Sequence, residues 1–270
     1  MQAEKKQKTN PAGKVGKKVG CGICGCIVGF LGLIFGIIYL TTFTNYCARM
    51  MGEETYPISG NPKAFDPIAA IPEIRAKVGA RAVLVDIDAS SVRADGTMNL
   101  DAKYSPAPRT NYRFQVPLDK APEDQEAPPI GAGRGPDDVW VQDVTVQVYQ
   151  PGQMRSVSRI SGGSRSTYTY TNEGMDIDRS SPRMGKVPDG IADITVSTQK
   201  MWEIALKLGA PKDAVASINI KDGDSTFRIT GMKIDLRWDE NGKLRDLYLS
   251  DEQKNILGLK EEDDGESSGH

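Results

Sequence analysis

The chain has 270 residues, of which 39% are hydrophobic and 26% are charged, and its formal net charge is -2. This composition is typical of a folded protein and excludes a wholly disordered chain. The charge is uneven, because residues 1–18 are rich in lysine and residues 251–270 are rich in acids. Since the middle of the chain has no basic surplus, a nucleic-acid binder with a basic face is excluded.

Residues 19–43 are the first predicted element, a transmembrane helix. No charged residue occurs between Val19 and Ala48, and a bilayer core needs about 20 apolar residues. Lysines precede the segment, so the positive-inside rule predicts a basic cytoplasmic tail over 1–18 and places residues 50–270 in the periplasm or outside the cell. A cleaved signal peptide is the alternative, but its apolar region would be unusually long.

The predicted helix carries a stripe of glycines. Steps of three and four residues place these positions on one helix face, and they are Gly22, Gly25, Gly29, Gly32 and Gly36. Small residues allow membrane helices to approach closely. The stripe therefore predicts lateral association in the cell membrane, as a homo-oligomer or within a membrane-protein complex. The alternative is that glycine is simply frequent in membrane helices.

The four cysteines lie in or beside this segment. They are Cys21, Cys24, Cys26 and Cys47, and residues 51–270 contain none. The exported domain is therefore predicted to fold without disulfides. A zinc site needs four ligands, and no second cysteine pair or histidine stands near the first three cysteines. No metal or cofactor is predicted.

The exported part is predicted to be α+β, with an antiparallel sheet and two short helices. One helix ends at Gly79, and the other begins after the capping residue Ser197 and ends at Gly209. Alternating apolar residues predict strands in "RAVLVDID", "NYRFQV", "VTVQVYQ" and over 98–104, whereas 173–190 is predicted to consist of turns. The predicted segments are a tether (44–65), a first α+β lobe (66–118), a loop rich in proline, glycine and acids (119–137), a β-rich segment (138–196), a second α+β lobe (197–250) and an acidic disordered tail (251–270).

The two lobes contain similar signals. "KVGA" at 77–80 and "KLGA" at 207–210 each close a helix, and each is followed by an apolar strand, an Asp-Gly turn and a second alternating strand. This order predicts a duplicated helix-strand-turn-strand unit. Chance is the alternative, because such helix ends and turns are common.

The unit that contains "MWEIALKLGA", "FRITG" and "LRWDENGKL" resembles the PepSY-like domains of bacterial exported and membrane proteins. The resemblance covers roughly 197–249, with a looser copy over 66–104, and the whole chain resembles bacterial single-pass membrane-anchored proteins. It implies a small α+β binding or regulatory module that faces the periplasm or the cell exterior, often without an enzymatic site.

Few residues offer catalytic chemistry. The single histidine is the final residue, His270, and the exported part has no thiol, so the usual triads are excluded. Ser197 and Lys200 match the S-x-x-K pattern, but the S-D-N and K-T-G elements that accompany it are missing. The paired acids at 222 and 224 do not have the spacing of a calcium loop. An incidental calcium site at "GMDID", 174–178, stays an open alternative.

One further set of residues predicts an interaction face. Tyrosines and arginines alternate with small polar residues in a predicted strand region and could receive a glycan, a polyanion or a peptide strand; they are Arg155, Arg159, Arg165, Tyr168 and Tyr170. The alternative is an ordinary amphipathic strand.

The sequence thus predicts a membrane-anchored extracytoplasmic binding or assembly protein without catalytic activity. No nucleic-acid partner and no small-molecule substrate are predicted. One alternative is a PepSY-like regulatory module that restrains an exported peptidase or feeds a sensor. A second is a hydrolase that uses the Ser197–Lys200 pair or a pair of carboxylates.

Overall fold

A computed structural model describes Gly32, Gly36 and residues 54–122, 135–161, 164–191, 193–229 and 231–259. Gly32 and Gly36 are helical and exposed, and a Cβ atom added at either would meet no atom within 4 Å. The predicted tail 1–18, the four cysteines and the other three glycines of the stripe lie outside the described residues. Among the residues described, no helix has the length and apolar character needed to cross a membrane.

The described residues from 54 to 259 form three α-helices and eleven strands. The helices are α1 (Ile71–Val78), α2 (Thr198–Lys207) and α3 (Asp251–Leu257). The strands are β1 (Glu54–Pro57), β2 (Val83–Val92), β3 (Arg109–Pro117), β4 (Val139–Tyr149), β5 (Met154–Ser161), β6 (Ser164–Thr171), β7 (Gly174–Arg179), β8 (Arg183–Gly185), β9 (Ala216–Lys221), β10 (Asp224–Ile229) and β11 (Ile234–Trp238).

Nine of the strands form one antiparallel sheet in the order β1-β7-β4-β3-β2-β9-β10-β11, with β8 paired to the start of β4. Strands β5 and β6 form a separate hairpin. This architecture confirms the predicted α+β class with an antiparallel sheet. The predicted lobes 66–118 and 197–250 share this sheet, because β2 pairs with β9.

The two faces of the sheet differ in polarity. Side chains alternate along a strand, so Tyr112 and Phe114 of β3 point into the core while Arg113 points to the opposite face. Helices α1 and α2 cover the apolar face and contribute Ile74 and Trp202 to the hydrophobic core. The opposite face, called the open face here, carries polar side chains.

The helix ends follow local signals. Ser197 caps α2, since its hydroxyl accepts a hydrogen bond from the backbone N–H of Lys200 at 3.2 Å. Helix α1 ends at Gly79 as predicted. Helix α3 begins with a capping box in which Ser250 and Gln253 each accept a hydrogen bond from the other's backbone N–H.

The two helix-led units have related topologies. Helix α1 is followed by the antiparallel strands β2, β3 and β4, and α2 is followed by β9, β10 and β11. The units differ in their first connection, because β9 and β10 are joined at Asp222 and Gly223 whereas β2 and β3 are separated by residues 93–108. The predicted strand over 98–104 is wrong, since only Met98 forms isolated bridges there, to Phe65 and Val92.

Three further predictions need correction. The predicted tether contains β1, which pairs with β7 and is fixed by a 2.9 Å ion pair between Glu54 and Arg179. The predicted turns at 173–190 contain β7 and β8. The predicted disordered tail begins with α3, so the described part of the exported domain has three α-helices where two were predicted.

Candidate binding face

The open face is built from the polar side chains of neighbouring strands. Cross-strand pairs join Asn111 to Gln147 and Arg113 to Thr145 between β3 and β4. Along each strand, the residues between these polar positions are apolar and point into the core. This alternation fixes the strand register, because a shift of one strand by one residue would move its apolar side chains to the polar face. The result is a continuous polar surface opposite the helices.

Asp86 organises the centre of this face, where β2 meets β9. The residue is only 7% exposed. Arg113 donates to its Oδ2 from Nε at 2.8 Å and also from Nη2, and Asn219 donates from Nδ2 to its Oδ1 at 3.0 Å. Buried carboxylates require such partners. Asp86 thus links β2, β3 and β9 through three hydrogen bonds.

Asp143 forms a second network at one end of β4. Arg183 donates to Oδ2 from Nε at 2.9 Å and to Oδ1 from Nη2 at 3.2 Å, and Gln115 donates to Oδ1 at 2.9 Å. The hydrogen bonds from Arg183 hold the pKa of Asp143 below its usual value, although partial burial opposes them. The same pair raises the pKa of Arg183.

Replacing Arg183 with glutamine should therefore raise the pKa of Asp143 toward its usual value of 3.8. The pKa in the folded state is depressed, so the stability that this pair contributes is present above the unfolded-state pKa and is lost as pH falls through the folded-state pKa. Both side chains are more than 40% exposed, and solvent screening keeps that contribution small.

Carboxyl-detected NMR titration of wild type and variant measures this change. Asp235 is the internal control, because its arginine partners, Arg237 and Arg228, are unchanged in the variant. Burial raises the pKa of Asp235, but hydrogen bonds from these two arginines lower it overall. An unchanged Asp143 titration in the Arg183→Gln protein would contradict the assignment.

Two cavities lie on the open face, at opposite ends of β3 and β4. The larger one has a volume of about 670 Å³ and is lined by both networks through Arg113, Gln115, Asp143 and Arg183, together with Lys186. The smaller one has a volume of about 280 Å³. We call it the arginine–amide pocket, because its polar lining is Arg109, Asn111, Gln147, Gln150, Gln153 and Arg155, beside Tyr149.

Of the predicted tyrosine–arginine face, the structure describes the side chains of Tyr170 and Arg155. Tyr170 is 3% exposed, and its hydroxyl donates to Asp176 Oδ2 at 2.7 Å, where the hydroxyl of Tyr149 also donates. Tyr170 thus attaches the β5–β6 hairpin to the main sheet, which corrects its predicted place on an exposed interaction face. Arg155 does reach the open face, where its guanidinium carbon lies 4.5 Å from the centroid of the Tyr149 ring. Arg159, Arg165 and Tyr168 belong to β5 and β6, and their side chains lie outside the described residues.

The remaining chemical candidates have structural roles or none. The Ser197 hydroxyl is the α2 cap, and the ammonium of Lys200 lies 4.0 Å from Glu203. In the described part of the chain, no group of three or more histidine, cysteine or acidic residues is placed to hold a metal ion.

Some residues of the face were not singled out by the sequence analysis. Arg109, Asn111 and Gln147 were missed, although the alternation in "RTNYRFQV" and "VTVQVYQ" places them on the polar side of their strands. The signal was present, but only the antiparallel register of β3 and β4 brings these side chains together.

A scan of protein-family models, a search of curated proteins and a search of solved structures each found no match to the chain. The PepSY-like resemblance of 197–249 therefore stays a prediction. Function has to follow from the chemistry of the open face and from the N-terminal sequence.

Proposed function

We propose that the protein is a membrane-anchored, extracytoplasmic binding and assembly protein that acts without catalysis. The observation that carries the proposal is the open face, where polar side chains and two cavities lie opposite the helix-covered side of one sheet. Binding sites are typically concave and contain a small number of placed polar groups. The open face has this character.

The N-terminal sequence supports the anchored location. The uncharged stretch from Val19 to Ala48 is long enough to span a bilayer, and β1 begins at Glu54. The ten residues between 43 and 54 reach at most roughly 35 Å. The sheet would therefore stay close to the membrane surface, and the glycine stripe would bring several sheets together, so that weak contacts gain from multivalency.

The open-face carboxylates support binding over catalysis. Asp143 and Asp235 each accept hydrogen bonds from arginine, and their lowered pKa values leave both carboxylates poor proton donors. General acid–base catalysis needs a group whose pKa lies near the working pH. These aspartates instead act as fixed acceptors that hold arginine side chains in place.

We also propose that the two helix-led units arose by duplication. Each consists of a helix and a three-stranded antiparallel meander, and the meanders join through β2 and β9. The PepSY-like resemblance of the second unit favours a regulatory role, restraining an exported peptidase or feeding a sensor, as the second candidate function. Both roles require a protein partner at the membrane.

Membrane fractionation and mild-detergent extraction of the full chain test the proposal. We expect the wild-type protein in the membrane fraction, within a complex larger than one chain. Replacing Gly25, Gly29 and Gly32 with leucine should leave the protein in the membrane and reduce the complex to the single chain, because bulk on the stripe separates the helices.

The matched control changes three residues on the opposite side of the same predicted helix, Ile27→Leu, Leu31→Ile and Ile34→Leu, and should leave the complex unchanged. Recovery of a shortened chain in the aqueous fraction would refute the anchor. An intact complex in the triple leucine variant would refute association through the stripe. A complex that contains a peptidase or a sensor would favour the regulatory role.

A further inference from the structure

We propose that the arginine–amide pocket binds the oxyanion group, a carboxylate or a phosphate, of a small hydroxyl-rich ligand. This inference rests on the proposed binding function and names the ligand class for one part of the open face. The pocket is lined by two arginines and four amide side chains, and none of its lining residues is acidic.

Unpaired arginine side chains distinguish this pocket from the rest of the face. Most other open-face arginines have an aspartate partner, and the pairs are Arg113–Asp86, Arg183–Asp143, Arg228–Asp235, Arg237–Asp235 and Arg245–Asp224. Within the residues that the structure describes, neither Arg109 nor Arg155 forms an ion pair. Without a carboxylate partner, their guanidinium groups can bind an external oxyanion, for which they offer donors in a planar fork.

Arg155 is held in position before any ligand arrives. Its guanidinium carbon lies 4.5 Å from the centroid of the Tyr149 ring, and its Nη2 donates to Gln147 Oε1 at 3.2 Å. Tyr149 is itself fixed, because its hydroxyl donates to the buried Asp176. Restricting a side chain in this way lowers the entropy lost on binding.

Arg109 lines the same pocket from β3. It is the cross-strand partner of Tyr149 in the β3–β4 pair, and its side chain is exposed. The pocket is therefore lined by one arginine from β3 and one from the β5–β6 hairpin. An oxyanion between them would accept charge-assisted hydrogen bonds from both.

The amides suit the hydroxyl groups of such a ligand. Gln153 Nε2 donates to Gln150 Oε1 at 2.7 Å, which leaves the Gln150 amide N–H groups as donors and the Gln153 carbonyl as an acceptor. Asn111 and Gln147 add a second amide pair across β3 and β4. A volume of about 280 Å³ lies just below the usual range for ligand sites, which fits one ring or one charged group.

The larger cavity does not offer the same chemistry. Its two arginines, Arg113 and Arg183, already bind Asp86 and Asp143. An oxyanion there would have to compete with carboxylates that are fixed on the same sheet. The arginine–amide pocket is therefore the better oxyanion site of the two.

Calorimetric titration of the full chain in non-ionic detergent, at low salt, tests the proposal with four probes. They are galacturonate, glucose 6-phosphate, inorganic phosphate and galactose, the last being the uncharged match of galacturonate. We expect at least one of the two charged sugars to bind about 10-fold or more tightly than galactose, because hydrogen bonds to charged groups are the stronger ones. Tighter binding of galacturonate assigns a carboxylate ligand, and tighter binding of glucose 6-phosphate assigns a phosphate ligand.

Arg109→Ala and Arg155→Ala should each weaken binding of the charged sugar by about 10-fold to 100-fold. Gln147→Glu should abolish binding of the charged sugar, since this change keeps the side-chain size and adds a negative charge. This variant serves if an arginine variant fails to fold. Arg228→Ala is the matched control, an arginine of the same face that pairs with Asp235, and should bind as wild type does.

Two results would overturn the inference. One is that no charged probe binds wild type more tightly than galactose. The other is that folded Arg109→Ala and Arg155→Ala proteins bind the charged sugar as wild type does. The assembly experiment is independent of this outcome, so a membrane complex without probe binding would refute the pocket's ligand and leave the proposed function standing.

Discussion

Replacing Trp202 with alanine should lower the free energy of unfolding by about 3–5 kcal/mol, the range for removing a large aromatic side chain from a core. Trp202 is 1% exposed and meets the Phe227 ring edge-on, with ring centroids 5.2 Å apart at an interplanar angle of 85°. This contact joins α2 to the β9–β11 meander. Guanidinium unfolding followed by far-UV circular dichroism measures the loss.

Two control variants separate this packing from effects of the helix itself. Glu203→Ala changes an exposed residue of the same helix and should alter stability by less than about 0.5 kcal/mol. Trp202→Phe retains a ring against Phe227 and removes a buried indole N–H that has no hydrogen-bond partner in the described protein. It should cost much less than alanine. A loss below 1 kcal/mol for alanine, under the magnitude that packing implies, would mean that α2 does not pack on the sheet as described.

Local signals in the sequence predicted those elements whose hydrogen bonds and contacts are close in the chain. The cap at Ser197 and the end of α1 at Gly79 were both predicted, because helix ends depend on a few adjacent residues. Alternation predicted the strands that carry one apolar and one polar face, such as β3 and β4. Because alternation reflects which residues are buried, it also predicted which side of each strand faces the core.

Elements that depend on distant partners were not predicted. Strand β1 has no alternating pattern, and it exists because it pairs with β7 and because Glu54 meets Arg179, 125 residues away. Helix α3 is a different case, since its capping signal, Ser250 with Gln253, was present in the sequence. The acidic composition of the tail led to a prediction of disorder, although the capping residues favour a helix at this point.

The binding face likewise has features that the local sequence predicts and features that depend on distant residues. Polar positions of β3 and β4 follow from alternation, whereas the burial of Tyr170 depends on Asp176, which lies in a strand of the other sheet. The Asp86 network likewise needs β9, which supplies Asn219 from 133 residues along the chain. Sequence patterns predict which side of each strand faces the core, but they do not predict which strands pair with one another.

Replacing Gly190 with alanine should destabilise the protein by about 2–4 kcal/mol, from the combined cost of a left-handed conformation and of overpacking. Gly190 has φ +75°, and a Cβ atom there would lie 2.3 Å from Val83 Cγ1 and 2.9 Å from the carbonyl oxygen of Leu84. That oxygen accepts a hydrogen bond from the backbone N–H of Ile191 at 2.7 Å, so the backbone cannot move away without losing this bond.

Gly209 is the matched control, because its φ is +86° and an added Cβ atom would meet no atom within 4 Å. Gly209→Ala should cost only about 1 kcal/mol. Chemical unfolding of both variants measures the difference, and equal losses would show that residues 190 and 191 do not pack against β2.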